Sequence, residues 1–208
     1  SQKTPGASTA SPANTGDYYR CLRRLFDMPS PDAYQQLLAL SREASLLSAT
    51  SALLAWDQET YMPTGAGERR ADQLELMAGL SHERATDVRI ADWLSQCANA
   101  PGDESQQAAV REMQRDYDRA TKLPGKLVAE LAATESRAQQ AWASARGASD
   151  FAEFQPWLEK MVALQQQKAD CLKQDGQTRW DALADLYEPG MRAADLKKLF
   201  APLRLRLV

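Results

Sequence analysis

The sequence predicts an all-α protein, and three observations support that prediction. Apolar residues recur at spacings of three and four in several long segments, which is the period of a helix with one buried face. Helix start and stop signals such as Ser-Pro, Asn-Ala-Pro-Gly and Glu-Pro-Gly separate these segments. No segment shows sustained alternation of β-branched residues, so we expect no sheet.

The first predicted helix is long and amphipathic. It starts at Ser30-Pro31, because serine caps a helix and proline fits its first turn. It ends near Trp56, because Pro63 disfavours helical backbone in the residue before it. Its apolar stripe includes Tyr34, Leu37, Leu40, Ala44, Leu47 and Leu54.

Three further helices are predicted before residue 123. One runs from about Glu68 to His82, and another starts near Asp87 with Val88, Ile90, Ala91 and Leu94 on its apolar face. The third covers about Asp103 to Lys122, where alternating charges indicate a largely solvated helix.

The remaining chain is also predicted to be helical. Pro124 can occupy the first turn of a helix that Gly147 closes, and Ser149 caps the next long helix. Trp180 to Tyr187 is predicted to form a short helix, and the last apolar stripe continues to Val208 without a stop signal. We therefore interpret residues 30–208 as a helical N-terminal region truncated within a helix, and residues 1–29 as a disordered tail or an expression remnant.

Composition limits the function classes. The 208 residues carry a formal net charge of -3, so the chain has no basic surplus for nucleic acid. The apolar stretches are short, so we expect no transmembrane helix and no membrane partner. Three widely spaced cysteines without a CxxC pair argue against a disulfide framework and favour a cytoplasmic protein.

The only histidine, His82, opens the sequence His-Glu-Arg-Ala-Thr. The zinc-protease motif HExxH needs a second histidine four residues later, on the same helix face, and here that residue is Thr86. We favour a structural role for His82 near a helix end.

The densest group of chemically capable side chains is Trp56, Asp57, Gln58, Glu59, Thr60 and Tyr61. Asp57 and Glu59 could serve acid/base chemistry. We favour the alternative, in which Asp57 and Thr60 cap backbone amides while Trp56, Tyr61 and Met62 pack the turn.

One stretch, LLAWDQETYMPTGAGERRADQLELMAGLSH from Leu53 to His82, closely resembles the opening block of the carboxypeptidase Taq family of metallocarboxypeptidases. Further similar motifs follow in the same order, at Tyr117–Pro124, in the stretch from Trp142 to Pro156, and at Trp180–Gly190. Trp180 stands where the family usually has tyrosine.

The resemblance implies a helical, two-lobed peptidase, often a homodimer, that removes C-terminal residues from peptides with zinc or cobalt. The family's HExxH helix and its further glutamate ligand lie beyond the matched region. No catalytic or metal-binding residue is therefore assigned here, and we expect no cofactor in this segment and no activity from it alone. What carries over is a scaffold role, in which residues 56–63 shape or support the groove wall.

Two alternatives remain open. The same helices could form a self-contained protein-interaction module, which would explain amphipathic stripes without catalytic residues but not the ordered motifs. The chain could also be a family member that has lost its catalytic half.

Overall fold

The computed structural model describes residues 32–99 and 102–207, and within these ranges it contains α-helices and one short 3-10 turn but no strand. The prediction of an all-α fold is confirmed. The predicted N-terminal tail and the Ser30-Pro31 start signal lie outside the described residues. The helices are α1 (Ala33–Thr60), α2 (Gly67–Ala85), α3 (Arg89–Asn99), α4 (Glu104–Ala120), α5 (Gly125–Ala148), α6 (Phe151–Leu172), α7 (Arg179–Ala184) and α8 (Ala193–Leu207).

The most extensive helix packing is between α2 and α5, followed by α1 with α2 and α5 with α6. The helix α3 packs on α1 and on α4, and α7 packs on α6. As a result, the C-terminal half of α1, α2 and the middle of α5 enclose a common space.

Two clusters of buried leucine and isoleucine stabilise this arrangement. Leu37 and Leu40 of α1 meet Ile90 and Leu94 of α3, and α4 contributes Val110, Met113 and Tyr117 to the edge of the cluster. The second cluster joins α5 to α6 through Leu127, Leu131 and Leu164. The predicted apolar stripes supply Leu37, Leu40, Ile90 and Leu94 of the first cluster, although Val88, which we assigned to the apolar face of α3, is 81% exposed and precedes the helix.

The helix α1 ends at Thr60, four residues later than predicted. The amides of Tyr61 and Met62 both donate to the carbonyl of Asp57, at 3.0 and 2.9 Å, which closes the last turn before Pro63. Gly67 then starts α2 against α5, where a Cβ atom would lie 1.9 Å from Oε1 of Gln140. A larger residue at this position would therefore require the Gln140 side chain to move.

By length and composition alone, α1 could cross a membrane, since its most apolar 18-residue window has a mean hydropathy of 1.2. Our expectation of short apolar stretches is wrong for α1, because no charged residue interrupts it between Glu43 and Asp57, and the absence of a transmembrane helix stays a prediction. One such helix is weak evidence for a membrane protein, since core helices of soluble proteins pass the same test.

The corner between α5 and α6 differs from the prediction by one or two residues. Gly147 lies inside α5, and Ser149 ends the helix in the left-handed conformation, with φ of 55°. Asp150, and not Ser149, caps α6 by accepting a hydrogen bond from the amide of Ala152 at 3.0 Å. Adjacent serine and aspartate are both good caps, so local sequence alone did not separate them.

Candidate functional site

A cavity of about 460 Å³ lies between α1, α2 and α5. Two residues of the sequence-predicted cluster, Gln58 and Glu59, form part of its lining. The apolar part of the lining is mostly alanine, whose small side chains leave room between the helices. The polar part comes from α1 and α5 and comprises Ser48, Ser51, Gln58, Glu59, Glu135, Ser136 and Gln139.

Gln58 is the side chain in this lining that bonds across to α5. Its Nε2 donates to the carbonyl oxygen of Ser136 at 3.0 Å and to Oε1 of Gln139 at 2.6 Å, and its Oε1 accepts from the Ser136 hydroxyl at 2.7 Å. Ser136 is only 4% exposed, so these bonds lie in a largely desolvated contact. Gln58 therefore fixes the end of α1 to α5.

Asp57 faces α2, away from the α5 contacts of Gln58. Its carboxylate accepts from Nη2 of Arg70 at 2.5 Å, and Arg70 also donates to the carbonyl of Leu54 and to Oε1 of Gln73. The Arg70 side chain is 10% exposed and the Asp57 side chain 37%. This ion pair holds α1 to α2.

The remaining residues of the cluster are largely solvent-exposed. The Trp56 and Tyr61 rings form an edge-to-face pair with centroids 5.5 Å apart, and they are 53% and 76% exposed. The Thr60 hydroxyl donates to the carbonyl of Trp56 at 2.8 Å. The capping interpretation is therefore wrong, since Asp57 and Thr60 bond to Arg70 and to a carbonyl, and neither aromatic ring is buried in the turn.

The acid/base interpretation also lacks support from the geometry. Asp57 bonds across to α2, whereas Glu59 lies in the cavity lining beside α5, so the two carboxylates do not act on one point. Residues two apart on a helix do not share a face, which explains this separation.

The second carboxylate in the cavity is Glu135 of α5, a residue that sequence reasoning did not select. Partial desolvation raises the pKa of its carboxyl group, and Lys168 opposes that shift. The residue as a whole is exposed, and it forms part of the cavity lining. Neither Glu59 nor Glu135 forms an ion pair with any residue that the structure describes.

Sequence reasoning also missed Arg70, Ser136 and Gln139. Arg70 lies 13 residues from Asp57, and Ser136 and Gln139 lie 78 and 81 residues from Gln58. The one sequence feature that could have identified Ser136 is its position among the alanines of α5. This helix packs on both α2 and α6.

His82 has a structural role at the end of α2. It lies in the last turn of α2, where its carbonyl accepts from the amide and the hydroxyl of Thr86, at 2.9 and 2.8 Å. Its ring lies close to Gly125 at the start of α5. The threonine that replaces the second histidine of an HExxH motif thus closes the helix end.

The residues present do not fit a catalytic zinc. Such a site needs three protein ligands around one point. Across residues 32–99 and 102–207, no group of three or more His, Cys, Asp or Glu side chains is placed to hold a metal ion. The cavity can offer hydrogen bonds and negative charge to a ligand, and no nucleophile with an adjacent base lines it.

Comparison with known proteins gives one consistent result. The chain is 42% identical over 184 residues to thermostable carboxypeptidase 1 of Thermus thermophilus, covering 83% of this chain and 36% of that protein. It is 32% identical over 178 residues to thermostable carboxypeptidase 1 of Pyrococcus furiosus, covering 85% and 35%. The crystal structure of BsuCP superposes with a TM-score of 0.78 at 27% identity, covering 82% of this chain and 35% of that one.

The chain thus spans about a third of the length of these relatives. The model of one family, described as carboxypeptidase Taq (M32) metallopeptidase, matches residues 36–208. That match covers most of the sequence and agrees with the ordered motifs between Leu53 and Gly190. This chain belongs to the carboxypeptidase Taq (M32) family of metallopeptidases.

Proposed function

We propose that this chain is the N-terminal scaffold of a metal-dependent carboxypeptidase that removes C-terminal residues from peptides. The observation that carries the proposal is the family match over residues 36–208 to relatives about three times as long. The donor set of the described residues does not fit a metal, so the zinc or cobalt expected for the whole enzyme belongs to the remaining two thirds. That metal would polarise the scissile carbonyl and activate water.

The role of this chain in such an enzyme is to build one wall of the peptide groove. Gln58 and Asp57 fix the end of α1 to α5 and α2, and next to them Trp56 and Tyr61 present aromatic surface to solvent. Exposed, rigidly held aromatic side chains are typical of binding surfaces. The structure therefore favours a positioning role for this cluster.

The chain alone provides the first test. We expect the purified 208-residue protein to bind no stoichiometric zinc by metal analysis and to release no C-terminal residue from a blocked dipeptide. Stoichiometric zinc together with release would contradict the proposal. Sequencing the coding region after codon 208 provides a second test, since HExxH within the next hundred or so codons supports the scaffold role. A stop codon there, with a stable compact monomer, would favour the interaction module.

The groove-wall role can be tested in an enzyme that joins this chain to the remaining two thirds. Trp56→Ala should raise KM for peptides several-fold with little change in kcat, because it removes binding that substrate and transition state share. Tyr187→Ala provides the matched control, since Tyr187 is an 87% exposed aromatic residue in the turn after α7, outside residues 56–63. Equal effects of the two substitutions would refute the role.

The proposal also assigns α1 a protein partner and not a bilayer. Leu46 and Leu53 are 62% and 63% exposed here, and the remaining part of the catalytic lobe is the partner we assign to them. Flotation with liposomes checks this assignment, and co-flotation of the chain with lipid would contradict it.

The rest of the proposal is a cytoplasmic, homodimeric enzyme without nucleic-acid partners. The cysteine pattern and the net charge of -3 support the location and the absence of nucleic acid. Light scattering of the joined enzyme tests the dimer.

A further inference from the structure

A second concave surface lies between α4, the end of α6 and the turn that follows α7. It has a volume of about 530 Å³. Three basic side chains of α4, Arg111, Arg115 and Arg119, line it at successive spacings of four, and Lys122 joins them from the turn that follows the helix. The spacings of four place the three arginines on one face of α4. We call this surface the α4 cleft.

Arg119, one of the four basic side chains, is already bonded to another part of the chain. Arg119 donates to the carboxylate of Asp185 at 2.5 Å and to the Asp185 carbonyl at 2.7 Å. Asp185 also accepts from the amide of Gly190 at 2.8 Å, and that bond, followed by the one from Arg119, lowers the pKa of its carboxyl group. Arg119 and Asp185 therefore form the structural floor of the α4 cleft.

The positive charges of the other three side chains are only partly neutralised by neighbouring carboxylates. Arg111 and Lys122 form no ion pair with any residue in the described parts of the chain, and Arg115 pairs only with the exposed Glu112, at 3.2 Å. One further carboxylate lines the cleft, that of Asp118, which accepts from Gln114 at 2.8 Å. Four cations against two carboxylates leave the cleft positive, on a chain whose net charge is -3.

The length of this row of basic side chains indicates which kind of anion would fit the α4 cleft. From Arg111 to Arg119 the row covers roughly 12 Å of α4, and Lys122, in the turn that follows, extends it to about 16 Å. A single phosphate would reach only one or two of these cations, whereas about five extended peptide residues cover that distance. The facing wall contains Leu172, Leu186 and Pro189, which an apolar side chain can contact and a polyphosphate cannot use.

We propose that the α4 cleft binds an extended acidic peptide segment, whose carboxylates pair with Arg111, Arg115 and Lys122 while its apolar side chains contact the facing wall. Arginine clusters bind acidic motifs in this way, through charge-assisted bonds in forked geometry. A row of basic residues on an open helix face is usually only solvated, but this row lines a concave surface with an apolar side. The proposal does not depend on the peptidase function.

The test is binding of a fluorophore-labelled peptide of six glutamates to the purified chain, measured by fluorescence anisotropy. Binding should weaken as ionic strength rises, because the contacts are solvent-exposed. The double variant Arg111→Gln, Lys122→Gln should raise Kd by about 5- to 30-fold, which corresponds to about 1–2 kcal/mol for the two lost contacts together. Circular dichroism checks that the variant is folded.

Arg69→Gln is the matched control, since Arg69 is an exposed arginine on α2 outside the cleft, and it should leave Kd unchanged. Three results would overturn the proposal. They are equal binding of a six-glutamine peptide, an equal loss in the control variant, and competition by inorganic polyphosphate at concentrations well below those of the glutamate peptide. The last result would assign the cleft to phosphate ligands instead.

Discussion

The ion pair between Arg70 and Asp57 offers the sharpest test of how the end of α1 is held. Replacing Arg70 with methionine keeps the aliphatic stem and removes every donor. Arg70 is 8% exposed and donates to Asp57, to Gln73 and to the carbonyl of Leu54. Breaking a fully buried pair costs about 3–5 kcal/mol. Asp57 is 37% exposed, however, so solvent replaces part of the lost interaction. We therefore expect a loss of about 2 kcal/mol, or roughly 4–8 °C in Tm for a chain of this size.

A double-mutant cycle separates the pair from the rest of the arginine contacts. Asp57→Asn should cost about 1 kcal/mol, and the coupling energy between the two substitutions should be about 1 kcal/mol. Urea unfolding followed by circular dichroism at 222 nm measures each free energy, and equal m-values show that the unfolded states are comparable. A coupling energy near zero, or a loss below about 0.5 kcal/mol for Arg70→Met, would refute the view that this pair holds α1 to α2.

Three further predictions concern the core, the cavity and one helix end. Leu94→Ala should cost about 3 kcal/mol in urea unfolding, because Leu94 is 2% exposed, whereas Val88→Ala, at an 81% exposed position, should change stability by less than about 0.5 kcal/mol. The folded state holds the Glu135 proton to higher pH than the unfolded state, since desolvation raises its pKa. Stability should therefore fall as pH rises through the titration of Glu135, and Glu135→Gln should reduce that fall while Glu75→Gln, on an exposed face of α2, does not. A pH dependence unchanged by Glu135→Gln would contradict the desolvated geometry. Ser149→Gly should raise Tm and stabilise the chain by about 0.5–1 kcal/mol, since Ser149 has φ of 55°, and a destabilised variant would argue against that conformation.

The sequence predicted the helices well because helical periodicity is a local signal. The apolar stripe that contains Leu37 and Leu40 was expected to be buried, whichever helix it packed against. In the structure it packs against Ile90 and Leu94. The helix ends were less accurate because neighbouring residues compete for the same role, as Ser149 and Asp150 do at the start of α6. Such competition is decided by the backbone conformation of the turn and not by residue type.

The position of the candidate site was predictable but its contacts were not. The residues from Trp56 to Tyr61 were selected from their chemistry alone, and the cavity does lie beside them. Their bonding partners lie on α2 and α5. A single sequence does not indicate which side chain on one helix contacts which side chain on another. The capping interpretation failed for this reason, since local bonding was the only bonding that a local pattern could suggest.

The contacts of Asp57 and Gln58 also support the proposed binding role of the exposed aromatic pair Trp56 and Tyr61. The last two turns of α1 are held from two sides, by Arg70 of α2 through Asp57 and by Ser136 of α5 through Gln58. A helix end held in this way loses little further conformational entropy when a ligand or a neighbouring lobe packs on it. Trp56 and Tyr61 are exposed, and the adjacent Asp57 and Gln58 are bonded to α2 and α5, which supports our proposal that this aromatic pair is a preorganised surface.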